Sequence, residues 1–239
     1  MRNQQAATRE RVLFRTCVGP FLVFLAFSFL LFVAEGCWKW NHPSAPWYQR
    51  APEMLIYPLQ VMACAGYICF IRKGVCWKAP LKFCLLGVLA GVVGITVWLL
   101  PYVAGWIPKE GGFEPALIFG GNGVAVGVEY GFRFARAVLV VPIVEELFWR
   151  GYLMRWCINR DFPYAVPLGQ GSWMSYIVVT AAFMFAHNPV DYVGAFVYGS
   201  IAYLLVIKTR SLLPVILMHA VANLIMGVCA IVLDLPHLW

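Results

Sequence analysis

The sequence predicts an all-α protein, a polytopic transmembrane helix bundle of about seven to eight spans, and three observations carry that expectation. Of the 239 residues, 62% are hydrophobic and only 12% charged, with a mean hydropathy of +0.76; a soluble domain usually carries about 25% charged residues. The apolar residues fall in runs of about 20, the length needed to cross a bilayer. Those runs lack strand-like alternation, and only helices and closed barrels satisfy every backbone polar group in lipid, so they read as helices.

Taken in order, the expected spans are residues 13–34, 54–71, 81–103, 138–157, 173–188, 191–207 and 212–233. The first follows a basic amino terminus. Its apolar stretch from Val18 to Ala34 exceeds a signal-peptide core and lacks an A-x-A site, so it reads as a retained signal anchor. Between the third and fourth spans, Ala116 to Arg136 is glycine-rich (Gly120, Gly121, Gly123, Gly127, Gly131) and carries Glu129, Arg133 and Arg136. It reads either as a re-entrant or interfacial element or as the start of a longer fourth helix. One integral membrane domain, residues 1–239, is expected.

The net charge of +7 resides in clusters at Arg2 to Arg15, Arg72 to Lys82, Arg155 to Arg160 and Lys208 to Arg210. Short basic clusters between apolar runs mark cytoplasmic loops and contact with anionic membrane lipid. With no basic stripe interleaved with aromatics, nucleic acid is excluded as a partner. The amino terminus is therefore expected in the cytoplasm. Trp38, Trp40, Trp47 and Tyr48, and Trp98, Tyr102 and Trp106, suit headgroup-level belts on the opposite side. The eight cysteines form no C-x-x-C pair, and no internal repeat supports a repeat-built transporter.

The chemistry lies in three of these helices. Within Val138 to Gly151, Glu145 and Glu146 sit side by side in an apolar helix, where an ionised carboxylate costs on the order of 3 kcal/mol unless paired or hydrated. Glu146 and Arg150 are four apart, share a helical face and can pair; a purely structural pair is the plain alternative. Glu145 points about 100° away. It is assigned the role of general base for a water molecule, with Glu146 and Arg150 as scaffold. His187 ends Phe183-Met-Phe-Ala-His187, where a lone histidine reads more readily as a core residue. In His219-Ala-Val-Ala-Asn223, imidazole and carboxamide lie on one face and can donate to a developing oxyanion.

Zinc held by Glu145, His187 and His219 is the alternative to a metal-free site, although no H-E-x-x-H occurs. No G-x-S-x-G surrounds Ser200 or Cys157, which argues against a serine or cysteine nucleophile. From a different class, the chain could serve as a non-catalytic immunity factor or sorting partner, or as a small transporter using Glu145 as a proton site.

The motifs E-E-x-x-x-R, F-x-x-x-H and H-x-x-x-N, in this order, resemble the CAAX prenyl protease and bacteriocin-processing (CPBP) family of intramembrane proteases. The wording around Val141-Pro142-Ile-Val-Glu145-Glu146-Leu-Phe-Trp-Arg150 resembles the bacterial branch that accompanies exosortase systems. The resemblance implies a protease core over about residues 130–233 and a conical, water-accessible cavity. It also implies cleavage near the carboxyl end of a peptide or protein substrate and no cofactor. On the same ground, Glu145 and His187 would activate water, His219 and Asn223 would form the oxyanion site, and Glu146 and Arg150 would stabilise both. It further implies a prokaryotic plasma membrane and an exosortase-system partner. For His187 and His219 to meet, the fifth and sixth helices must be short and the turn at Asn188, Pro189 and Val190 must dip into the membrane.

Overall fold

A computed structural model describes residues 2–107 and 111–238, and the described residues form helices joined by turns, with no strand among them. The order is α1 (Arg2–Cys17), α2 (Gly19–Cys37), the single turn α3 (Trp47–Arg50), α4 (Glu53–Ile71), α5 (Leu81–Val103) and the short α6 (Pro115–Phe119). Next come α7 (Gly123–Phe134), α8 (Val141–Phe148), α9 (Met154–Trp156), α10 (Trp173–Phe185), α11 (Tyr192–Thr209) and α12 (Leu212–Val232).

All seven expected spans are helical. The helices at Gly19–Cys37, Glu53–Gly74, Leu81–Val103, Pro189–Thr209 and Leu212–Val232 are long and apolar enough to cross a membrane. The expected fourth span is a continuous helix that alternates between α and π register, and the fifth, α10, has 13 residues, about 20 Å at 1.5 Å per residue. That is shorter than the roughly 30 Å hydrocarbon core, as expected of the fifth helix, whereas the sixth, α11, has 18 residues and is not short. The glycine-rich segment proves to be the beginning of the fourth helix: α7 runs without a break into the residues that carry Glu145. Outward faces expose Phe32, Leu81, Leu89, Val193 and Trp173, an apolar surface that a water-soluble protein does not tolerate. The chain is an integral membrane protein.

Two packing features position the chemistry. Gly87 and Gly91, four residues apart on α5, let α12 lie directly against the backbone, and a Cβ at either would run into the carbonyl of Pro214 or Met218. Small residues at this spacing permit the close approach on which helix association in lipid depends. The main core then forms between α5, α8, α10, α11 and α12, around Ile95, Leu147, Val179, Phe183, Tyr198, Val215 and Met218. Second, Ser172 caps α10 in a reciprocal box with Ser175, satisfying donors that no helical carbonyl can reach.

Candidate active site

The fourth helix is locally unwound on both sides of the carboxylate pair. Residues Ala135–Val140 and Trp149–Leu153 are π-helical, and such bulges frequently mark functional sites. Pro142 explains the first one. In the π register the Val141 N–H bonds the Arg136 carbonyl, five residues back. The Ala137 carbonyl would next be served by residue 142, which as proline has no N–H. Asn223 of α12 supplies the missing donor, its Nδ2 lying 2.7 Å from that carbonyl oxygen. The proline in the first motif and the asparagine in the third are thus the two halves of one structural joint.

Glu146 and Arg150 form the pair the spacing predicts. Arg150 Nη1 donates to Glu146 Oε1 at 3.0 Å, and both side chains are fully buried. Arg150 Nη2 donates to the Gly199 carbonyl at 3.4 Å, and its guanidinium lies over the Phe183 ring. Glu146 Oε1 accepts a second hydrogen bond, from His219 Nδ1 at 3.0 Å. This differs from the expectation that Glu145 would be the carboxylate to meet the histidines. Helical spacing alone assigns Glu146 one partner, whereas a carboxylate oxygen has lone pairs for two, and α12 approaches the face that carries residue 146.

Because a carboxylate only accepts, His219 carries its proton on Nδ1, which leaves Nε2 for other partners. His187 is fixed in the same tautomer by another acceptor: the Phe183 carbonyl, which near the end of α10 also accepts from the Ala186 N–H, lies 2.7 Å from His187 Nδ1. The F-x-x-x-H motif is therefore a self-contained device, with the phenylalanine backbone orienting the imidazole one turn later. The Trp98 ring stands edge-on to His187, and Trp98 Nε1 and the Tyr102 hydroxyl both donate to Asp191 Oδ1, at 2.8 and 2.7 Å. These contacts tie the 189–191 turn to α5.

His187, His219 and Asn223 line one cavity of about 60 Å³ with Trp98, Phe183 and Tyr198, room for a few water molecules. Three of the predicted residues, two from α12 and one from the turn after α10, are thus brought together. Glu145 is not in this lining. Its carboxylate is half-buried, and its one hydrogen bond among the described residues comes from Trp149 Nε1 at 3.4 Å. No three His, Cys, Asp or Glu side chains among the described residues are grouped to hold a metal ion; His187 and His219 come together without Glu145 completing a zinc set.

Several residues of this neighbourhood carried no signal in the sequence. Tyr198 is buried edge-on to His219, with its hydroxyl unpartnered among the described residues. Gln60 is fully buried and accepts from Arg136 Nε at 2.6 Å, while its own amide donates to the Phe24 carbonyl. A tyrosine or a lone glutamine in an apolar run has no spacing to betray it.

Fold and site together define a helical integral membrane protein in which the fourth helix, the end of α10 and α12 bring a buried carboxylate, an arginine, two imidazoles and an amide together, with the second carboxylate, Glu145, outside the cavity lining. Residues 128–225, somewhat under half of the chain, match the family described as Type II CAAX prenyl endopeptidase Rce1-like. The matched stretch contains all three motifs, and it supports kinship with membrane peptidases. No curated protein and no solved structure matches the chain.

Proposed function

We propose that the chain is an intramembrane endopeptidase in which Glu145 activates a water molecule to cleave a peptide bond near the carboxyl end of a membrane-associated protein. The observation that carries this reading is the division of labour between the two carboxylates. Glu146 is committed to Arg150 and His219 inside the core, whereas Glu145 is half-buried and held by a single long bond to Trp149.

In this reading a water molecule bridges Glu145 and the open Nε2 of His187. Its oxygen attacks the scissile carbonyl carbon while its proton passes to Glu145. The resulting oxyanion is stabilised by the second amide hydrogen of Asn223 and by an Nε2–H of His219, which requires that imidazole to carry a proton on both ring nitrogens, Nδ1 being held by Glu146. Glu145 then delivers the proton to the leaving nitrogen as the carbon–nitrogen bond breaks, giving a carboxylate and an amine. Hydrogen bonds of this kind tighten when substrate enters the site.

The four basic clusters support an orientation with the amino terminus in the cytoplasm of a prokaryotic cell and the chain in its plasma membrane. An exosortase-type sorting system would supply a suitable substrate. The test is cleavage of internally quenched peptides and of a lipid-anchored protein tail by the protein reconstituted in vesicles. Cleavage by wild type that disappears in Glu145→Gln, with the variant still folded, supports the reading, and cleavage surviving in that variant overturns it.

A further inference from the structure

The four basic clusters, scattered along the sequence, converge on one cavity. It measures about 450 Å³, and its lining includes Arg9 from α1, Lys78 from the α4–α5 loop, Arg155 from α9 and Arg210 from the α11–α12 turn. No aspartate or glutamate is in that lining. Among the described residues, none of the four cations is in a salt bridge with a carboxylate. Arg155 is the half-buried member, braced by its Nε on the Val166 carbonyl at 2.8 Å and its Nη1 on the Gly151 carbonyl at 3.4 Å. Arg9, Lys78 and Arg210 are exposed at the rim.

Backbone geometry is a second, independent observation. Arg210 closes α11 with φ +49°, the left-handed region where glycine or asparagine is the inexpensive choice and a long side chain is strained. An arginine at this position meets a need that a better-suited capping residue would not. The rest of the wall is apolar: Val12, Leu13, Leu147, Leu168 and Leu212. A site with unneutralised cations at its mouth and aliphatic walls below selects an amphiphile with an anionic head.

We infer that this cavity is a binding site for an anionic glycerophospholipid, with the phosphate held by Arg155, Arg210, Lys78 and Arg9 and an acyl chain lying along the aliphatic wall. Basic pockets between transmembrane helices recognise phosphate headgroups in this way. The wall also includes Leu147 and Gly151, the chain neighbours of Glu146 and Arg150. An occupant therefore braces the helix that carries the site, and because it binds the folded state it raises stability by mass action.

The test uses the full chain in neutral detergent, read by thermal stability and by lipid retention in native mass spectrometry. Phosphatidylglycerol is expected to raise Tm by several degrees and to be retained as one bound molecule, whereas phosphatidylcholine and inorganic phosphate do neither. Arg155→Gln should abolish the response. Because that variant removes two backbone braces, Lys78→Gln combined with Arg210→Gly serves as a second one. Both side chains are exposed and glycine suits φ +49°, so its fold is retained while its half-saturating phosphatidylglycerol concentration rises at least tenfold. Equal responses to the two lipids overturn the inference, as does an undiminished response in the double variant. An equal response to inorganic phosphate would show a small-anion site instead, and displacement of the lipid by a peptide ending in a free carboxylate would show a substrate subsite.

Discussion

His219 Nδ1 meets Glu146 Oε1 at 3.0 Å, across 73 residues of chain, on the same oxygen that accepts Arg150 Nη1. One carboxylate oxygen thereby joins the first motif to the third. Since Glu146 and Arg150 are fully buried, removing either partner leaves an uncompensated charge in the core. Arg150→Ala should lower stability by about 3–5 kcal/mol, measured by denaturant or SDS titration. The uncharged pair Glu146→Gln with Arg150→Met should lose much less than the sum of the single changes. Additive losses would mean that the pair is not coupled.

Glu145→Gln should behave in the opposite way. Its only hydrogen-bond partner among the described residues is Trp149 at 3.4 Å, so stability should change by less than about 0.5 kcal/mol, as for a change away from buried contacts. As the assigned general base, however, its loss should cut kcat/KM by about 10²–10⁴-fold. If Glu146→Gln abolished turnover in a well-folded protein while Glu145→Gln retained it, the roles of the two carboxylates would be exchanged.

Metal dependence separates the proposed mechanism from its zinc alternative. Dialysis against a strong chelator should leave peptide cleavage unchanged, and metal analysis of active protein should find well under one zinc per chain. Activity lost on chelation and restored by zinc would require Glu145, His187 and His219 to converge as they do not in this structure.

The contact between α5 and α12 sets the position of His219 and Asn223. Gly91→Ala puts a methyl group against the Met218 carbonyl, next to His219 in the chain. Overpacking of this kind costs about 1–3 kcal/mol, and the displaced α12 should lower activity more than the stability loss alone accounts for. Gly36→Ala, with open space around the glycine, is the control that should change neither.

Glu129, on α7 ahead of the fourth span, has its carboxyl pushed up to about 7 by burial and by the neighbouring Glu53 carboxylate. The folded protein holds this proton more tightly than the unfolded chain, whose carboxyl titrates near 4.5. The contribution of Glu129 is thus most favourable at low pH, declines as pH rises from about 4.5 to 7, and is constant above. Glu129→Gln should flatten the Tm profile across that window, and an unchanged slope would remove Glu129 as its source.

Much of the fold was legible because lipid imposes simple rules. Runs of about 20 apolar residues have to be helices, and all seven expected runs are helical. The site was legible in part because charged and polar side chains inside such runs are costly enough to stand out, which singled out Glu145, Glu146, Arg150, His187, His219 and Asn223. Phe183, by contrast, acts through its carbonyl, which no side-chain pattern reveals. The π register around Pro142 arises from a missing N–H whose consequence falls on Ala137, a residue with no signature of its own.

By itself, then, the amino-acid sequence determined a helical membrane protein and a short inventory of intramembrane polar residues, since hydropathy and helical spacing are properties of a single segment. Only the tertiary structure decided the pairing of that inventory. His219 belongs to Glu146, Asn223 to the Ala137 carbonyl, and four distant cations to one cavity. Each of these depends on how closely separate helices approach and at what rotation, which is set by glycines on α5 and by the proline-induced bulge in the fourth helix rather than by the motifs themselves.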